Sequence, residues 1–154
     1  MAIVEPESRG GPSYQVTAIR GDRGDTLFSK RYSFQPIAIP ARVIDSTRQE
    51  KLRQPGLSPA MKSGYQALKY PSHYPPIRRV LVGIDGTIWL QEENGRTASR
   101  RWIVLSASGA RLGSIEVPAH VGFGAVSRTR LWTIESDADG VQSIGQYRVG
   151  KLGR

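Results

Sequence analysis

Short apolar runs separated by turn residues are the main pattern in the second half of the chain. Between residues 77 and 118 there are four such runs, at 79–84, 87–91, 101–105 and 112–117. Runs rich in β-branched and aromatic residues predict strands. The Asp85-Gly86 pair favours a tight hairpin turn after the first run, and Gly109 can adopt a left-handed conformation before the last. This region therefore predicts two antiparallel hairpins.

The same plan returns 43 residues further along, where Leu131-Trp132 matches Ile88-Trp89. Strands are predicted at 121–126, 130–135 and 141–152, with no fourth strand after them. A repeat of about 40–45 residues is typical of propeller blades. The second unit is therefore predicted to be an incomplete blade.

A further hairpin is predicted before these two units. Residues 14–19 and 26–32 flank a polar turn in which Gly24 occupies the place of Gly109 in the complete unit. The segment that follows breaks the strand pattern with repeated prolines, and it predicts a helix at 41–54 and another at 60–68. Ser58 and Pro59 suit the N-cap and first position of the second helix.

The predicted fold class is all-β: about two and a half four-stranded antiparallel propeller blades in a partial ring, with a Pro-rich, partly helical insertion. The predicted domain is residues 14–152, preceded by a disordered N-terminus at 1–13. Its parts are an outer hairpin at 14–32, the insertion at 33–76, a full blade at 77–118 and an incomplete last blade at 121–152. Three units cannot close a ring alone, because each repeat needs neighbours to bury its faces.

Three runs carry a resemblance to a known family: PPIRRVLVGIDGTIWLQEE, RRWIVLSASGARLGSIEVP and RLWTIESDADGVQSIGQYRV. In order and spacing they resemble the C-terminal blades of bacterial six-bladed β-propellers, which are related in architecture to the NHL and TolB-like propellers. The resemblance covers about residues 14–149. It implies a longer parent, in which a strand from near the N-terminus completes the last blade and closes the ring.

The resemblance leaves three origins open for this chain: a fragment, a start placed too late at Met1, or a half-ring that assembles with another chain. Proteins of this group are frequently exported to the periplasm or beyond. The N-terminus of this chain has no apolar segment of the secretory kind. The compartment is therefore left open.

The net charge and the residue composition argue against several classes of function. The net charge is +9, but the basic residues are spread over predicted loops and strands, which argues against a nucleic-acid face. There is no cysteine, so disulfides, thiolate nucleophiles and cysteine metal sites are excluded. No apolar run approaches the roughly 20 residues of a membrane-spanning helix.

Candidate chemical sites are few, and no catalytic, metal or cofactor site is predicted. His73 and His120 are the only histidines, and neither has a carboxylate at ligand spacing. Asp137 and Asp139 could offer oxygens to calcium, but the other ligands of a calcium loop are missing. Residues 23–25 spell Arg-Gly-Asp, a tripeptide that some adhesion receptors recognise, in a predicted turn.

The leading functional hypothesis is a non-enzymatic binding or scaffolding propeller for an unknown protein, peptide or carbohydrate, able to self-associate through open blade edges. Trp89, Trp102 and Trp132 recur at matching strand positions and are predicted to pack between neighbouring blades. The alternative is part of a metal-dependent lactonase or hydrolase whose ligands lie in other blades. A basic nucleic-acid-binding module is the third hypothesis.

Overall fold

A computed structural model describes residues 1–7, 11–95, 98–137 and 139–153. The described residues form ten strands: β1 Ala2–Glu7, β2 Ser13–Ile19, β3 Thr26–Ser33, β4 Ile77–Val82, β5 Ile88–Glu92, β6 Ser99–Leu105, β7 Arg111–Pro118, β8 Gly122–Val126, β9 Arg130–Ser136 and β10 Gln142–Arg148. Two helices lie between β3 and β4, α1 Ala41–Leu52 and α2 Pro59–Ala67.

The strands form three small antiparallel sheets. The first sheet has the order β1-β2-β3, the second β4-β5-β6-β7 and the third β10-β9-β8. The sheets are blade-like, and the described residues close no barrel. The predicted fold class, antiparallel β-sheets with a partly helical insertion, is confirmed.

The second sheet lies between the other two and is apolar on both faces. Along β5, Ile88 and Leu90 point into a core shared with the first sheet, whereas Trp89 points into a core shared with the third. This follows from the alternation of side chains along a strand. A strand buried on both faces has a continuous apolar run, which explains the uninterrupted sequence of β5.

The N-terminal prediction is wrong for Ala2–Glu7, because this segment forms a strand rather than disordered chain. Ala2 pairs with Ala18 and Val4 with Val16, and both N-terminal side chains pack against the core shared with the second sheet. The sequence concealed the strand because its apolar residues form one short run, Ala2 to Val4, that is followed by acids and a proline. Residues 8–10 of the predicted disordered segment lie outside the described part of the chain.

The insertion forms a compact unit of its own over Pro36–Tyr74. Ser58 caps α2 as predicted, since its Oγ accepts a hydrogen bond of 3.3 Å from the Met61 amide. The Lys51 ammonium lies 5.6 Å from the centre of the Tyr65 ring and joins the two helices. Ala38 and His73 form an antiparallel bridge near the ends of the unit.

The C-terminal strand is shorter than the predicted range of 141–152. β10 ends at Arg148, and the chain then returns to the second sheet, where Gly153 and Ser114 of β7 exchange two backbone hydrogen bonds of 2.8 and 2.9 Å. Val149 and Leu152 pack against the core between the second and third sheets. Among the described residues, β10 pairs only with β9.

Candidate protein-interaction face

The third sheet has a face that carries apolar side chains in solvent. Ile134 is 55% exposed and Ile144 is 79% exposed. With Trp132 and Gly124 they line an open groove of about 350 Å³, which Ile84 borders from the turn after β4. We call the side of the third sheet formed by Gly124, Trp132, Ile134 and Ile144 the outer face.

Strand alternation explains why these side chains share one face. Leu131 and Thr133 of β9 are buried toward the second sheet, so Trp132 and Ile134 point the opposite way. Ile144 lies directly across from Ile134 in the register of β9 and β10. The two isoleucines therefore form a cross-strand apolar pair of the kind that normally packs against another layer.

The repeat shows what such a face normally contacts. Trp132 is the equivalent of Trp89 in the second sheet, and Trp89 is completely buried beneath the third sheet. The rings of Trp89 and Phe123 meet edge to face, with centroids 6.2 Å apart. The outer face therefore repeats, without a cover, the construction of a face that is covered one sheet earlier.

One end of the outer face is cationic. Arg130 and Arg148 are directly opposite each other in the register, on the same side as Trp132, and neither has an ion-pair partner among the described residues. Like charges in such a position are destabilising. The exposed Arg128 lies in the turn just before β9. The outer face is thus an apolar groove with a positive rim at one end.

The opposite end of the β9–β10 hairpin is acidic. Asp137 uses its carboxylate to hold the turn, because its Oδ1 accepts the backbone N–H groups of Asp139 and Val141 at 3.0 and 2.9 Å. The side chain of Asp139 is exposed. The two aspartates considered for calcium are therefore part of a hairpin turn, in which one carboxylate is already engaged by backbone donors.

A carboxylate at the turn after β4 links the second and third sheets. Asp85 accepts hydrogen bonds from the Thr87 hydroxyl at 2.7 Å and, through its other oxygen, from the Arg128 amide at 2.7 Å. Trp89 Nε1 in turn donates to Thr87 Oγ1 at 3.1 Å. Burial raises the pKa of Asp85, but the hydrogen bonds from Thr87 and Arg128 outweigh it, so the net pKa is lowered.

A second polar cluster lies on the opposite side of the third sheet from Ile134. Glu135 Oε1 accepts hydrogen bonds from Tyr147 Oη at 2.5 Å and Thr133 Oγ1 at 2.8 Å. The hydrogen bond from Tyr147, followed by the one from Thr133, is the main reason why the pKa of Glu135 is lowered. A side chain at Gly145 would displace part of this cluster, since an added Cβ would come too close to Glu135 Oε1 and Thr133 Oγ1.

The structure does not gather the two histidines into a site. His73 Nδ1 lies 2.9 Å from Ser72 Oγ within the insertion unit, and His120 is exposed in the turn before β8. Among the described residues, no group of three or more histidine, aspartate or glutamate side chains is placed to hold a metal ion.

The Arg-Gly-Asp tripeptide lies in the β2–β3 turn. Gly24 has a φ of +73°, and its N–H donates to Arg20 O at 2.9 Å, so the glycine serves the turn itself. The guanidinium of Arg23 pairs with Asp22 at 3.9 Å, an exposed contact. Turn geometry thus accounts for this glycine without a receptor.

The three tryptophans divide into two groups. Trp89 and Trp102 are buried as predicted, but Trp132 is partly exposed in the groove of the outer face. Sequence reasoning missed Ile134 and Ile144, although the alternation around Trp132 was a signal for an apolar face. It also missed the arginine pair, because the register that brings Arg130 and Arg148 together is not visible in the sequence.

Comparisons with protein-family models, curated proteins and solved structures find no match. No helix in the described ranges is both long and apolar enough to cross a bilayer.

Proposed function

We propose that the chain is a non-enzymatic binding or scaffolding module of the β-propeller type, and that the outer face of the third sheet is where it holds a protein partner. The observation that carries this proposal is the exposure of Ile134 and Ile144 beside Trp132. Large exposed apolar side chains grouped in one groove mark an interaction surface, whereas scattered ones are ordinary.

The energetics of the outer face favour a protein as the partner. An isoleucine left in water forgoes about 1.5–3 kcal/mol of burial free energy. The backbone of β10 also has one edge that no described strand covers. A partner that presents apolar side chains and backbone hydrogen-bonding groups would satisfy both, which is the mode of binding by added β-strands.

Selection from a library of short random peptides displayed on phage tests the proposal. Peptides that bind the wild-type chain should alternate apolar and polar residues. Their affinity should fall by about tenfold or more for Ile134→Lys, because a buried charge would replace a buried alkyl group. The matched control is Thr17→Lys on the first sheet, which should leave binding unchanged.

Two outcomes contradict the proposal. One is a selection that enriches no peptide for the folded chain. The other is a set of peptides that bind wild type, Ile134→Lys and Thr17→Lys equally, since these would bind elsewhere. Circular dichroism of each variant establishes that the sheets are intact before binding is compared.

A further inference from the structure

We infer that the partner of the outer face is a second copy of this chain, placed by a two-fold axis that sets the arginine end of each β9–β10 hairpin against the acidic turn of the other. This inference rests on the proposed function and identifies its partner. Three features of the described residues carry it: the polarity of the first sheet, the charges of the hairpin and the change at the position equivalent to Asp85.

The first sheet is a less suitable cover for the outer face of another copy. Its own exposed side carries Gln15, Thr17 and Ser29, whose polar groups bond to one another. Ile3 and Leu27 are partly exposed on this sheet as well, but burying it would also remove these hydroxyl and amide groups from water. A head-to-tail chain of copies is thereby disfavoured, and the apolar surface that matches the outer face best is another outer face.

A contact between identical faces is isologous, so each charged group must meet its complement across the two-fold axis. The hairpin meets this condition because Arg130 and Arg148 lie at one end and Asp139 at the other. β9 has seven residues, so its ends lie about 20 Å apart. An axis across the strands reverses the partner and places Arg148 near Asp139, whereas an axis along them would place arginine against arginine.

The residue at the position equivalent to Asp85 differs between the two repeats. Asp85 of the second sheet accepts the backbone N–H of Arg128 in the third, a contact between equivalent positions 43 residues apart. In the third sheet that position is Arg128, so a following sheet of the same kind would find a cation where the carboxylate should be. A carboxylate complements Arg128 where a backbone N–H group would not, and the turn at Asp139 of a second copy supplies one.

Light scattering during size-exclusion chromatography of the full chain, over a series of concentrations, tests this inference. The expected wild-type mass is twice 17.0 kDa. Arg148→Asp and Asp139→Arg should each weaken dimerisation by about tenfold or more, because each sets like charges against each other across the axis. The double variant carries swapped charges and should recover most of the wild-type affinity.

Matched variants separate the apolar contact from the charges. Ile144→Lys should give a monomer of 17.0 kDa, and Thr17→Lys should remain dimeric. Raising the salt concentration should weaken the wild-type dimer, since rim charges are screened. Asp139 is preferred to Asp137 for the swap because the carboxylate of Asp137 holds the turn.

Each result decides one part of the inference. A wild-type monomer at all concentrations overturns the second copy as partner, yet leaves the proposed function standing if selected peptides still depend on Ile134. A dimer that withstands Ile144→Lys overturns the outer face as its interface. A double variant as weak as the single ones overturns the antiparallel arrangement. Failure of peptide selection as well as dimerisation would overturn the function itself.

Discussion

The first and third sheets flank the same central sheet, but their outward sides differ in how polar they are. On the first sheet, Gln15 Nε2 donates to Ser29 Oγ at 2.5 Å, and Thr17 Oγ1 lies 2.9 Å from the same hydroxyl. On the third sheet, Ile134 faces Ile144 across two strands. The first sheet also exposes part of Ile3 and Leu27, but its outward side has hydrogen-bonded polar groups where the outer face has a pair of isoleucines.

The difference shows which outward side is built like the interface between two sheets. In repeat proteins the terminal unit carries a polar outer face, because an apolar one would remain exposed. The first sheet comes nearer to this pattern, because Tyr14 and Val16 point toward the second sheet and Gln15, Thr17 and Ser29 lie on the other side. The third sheet does not meet it, so its outward side has the character of an internal interface.

The largest expected effect contrasts the two tryptophans at equivalent positions. Trp89→Ala should lower the free energy of unfolding by about 3–5 kcal/mol, because it empties a site between two sheets. Trp132→Ala removes the same side chain from a partly exposed position and should cost about 1–2 kcal/mol. Chemical denaturation followed by far-ultraviolet circular dichroism measures both.

Equal losses of unfolding free energy for the two alanine variants would contradict this prediction. They would mean that Trp132 is as well covered as Trp89 in solution. Measurement at several protein concentrations distinguishes cover by a second copy, since stability would then rise with concentration.

The next prediction compares two corresponding glycines, one in the β2–β3 turn and one in the β6–β7 turn. Gly24 and Gly109 both have positive φ, at +73° and +75°, so alanine strains either one by about 1–2 kcal/mol. At Gly24 an added Cβ meets no atom within 4 Å, but at Gly109 it would lie 2.7 Å from the Phe28 ring. Gly109→Ala should therefore cost about 1–3 kcal/mol more than Gly24→Ala in unfolding free energy.

This pair tests the contact between the first and second sheets, which Tyr32 reinforces by donating from Oη to Gly109 O at 2.6 Å. If both alanine variants unfold at the same denaturant concentration, the first sheet does not pack on the β6–β7 turn as described. Tyr32→Phe offers a milder probe of the same contact.

A smaller effect concerns acid and the link between the second and third sheets. The pKa of Asp85 is lowered from its ordinary 3.8, so its ionised form stabilises the fold above that pH, and this contribution is lost as pH falls through the lower folded value. Asp85→Asn should cost about 1 kcal/mol at neutral pH, because the carboxylate is largely exposed and solvent screens its bonds. Unfolding measured from neutral pH down to acid tests both statements.

The variant should also lose stability less steeply than wild type as pH falls below 3.8. Asp25→Asn serves as the control, since the exposed Asp25 carboxylate accepts no hydrogen bond among the described residues. Identical acid profiles for wild type and Asp85→Asn would show that the link to Arg128 does not contribute to stability.

Much of the fold could be predicted from the sequence, because local signals and tertiary packing agree in the second sheet. The Asp85-Gly86 turn and the apolar run of β5 both favour the same hairpin, and the register in the structure follows it. The strand at Ala2–Glu7 could not be predicted, since its pairing with β2 is a tertiary contact and its own composition is weak.

The candidate face was visible in the sequence only in part. Alternation gives the side of the sheet on which Trp132 and Ile134 lie, but it does not reveal whether another layer covers that side. The repeat made Trp132 look like Trp89 and predicted burial for both. Only the packing of the sheets shows that the third sheet covers Trp89, whereas no other sheet of the described residues covers Trp132.

The smallest effect compares two tryptophans in the same core. Trp89 Nε1 donates to Thr87 Oγ1, whereas Trp102 Nε1 is buried with no hydrogen-bond partner among the described residues. Phenylalanine removes a similar apolar volume at both positions, so the difference between Trp89→Phe and Trp102→Phe isolates the donor. We expect Trp89→Phe to cost about 0.5–1 kcal/mol more in unfolding free energy, because only it loses a bond. If Trp102→Phe is the costlier change, Trp102 has an acceptor in solution, such as a bound water between the second and third sheets.

Repeating the pair of variants in an Asp85→Asn background sharpens the result. The cost of Trp89→Phe should become smaller, because the Asp85–Thr87 bond that orients the acceptor is weakened. The cost of Trp102→Phe should not change.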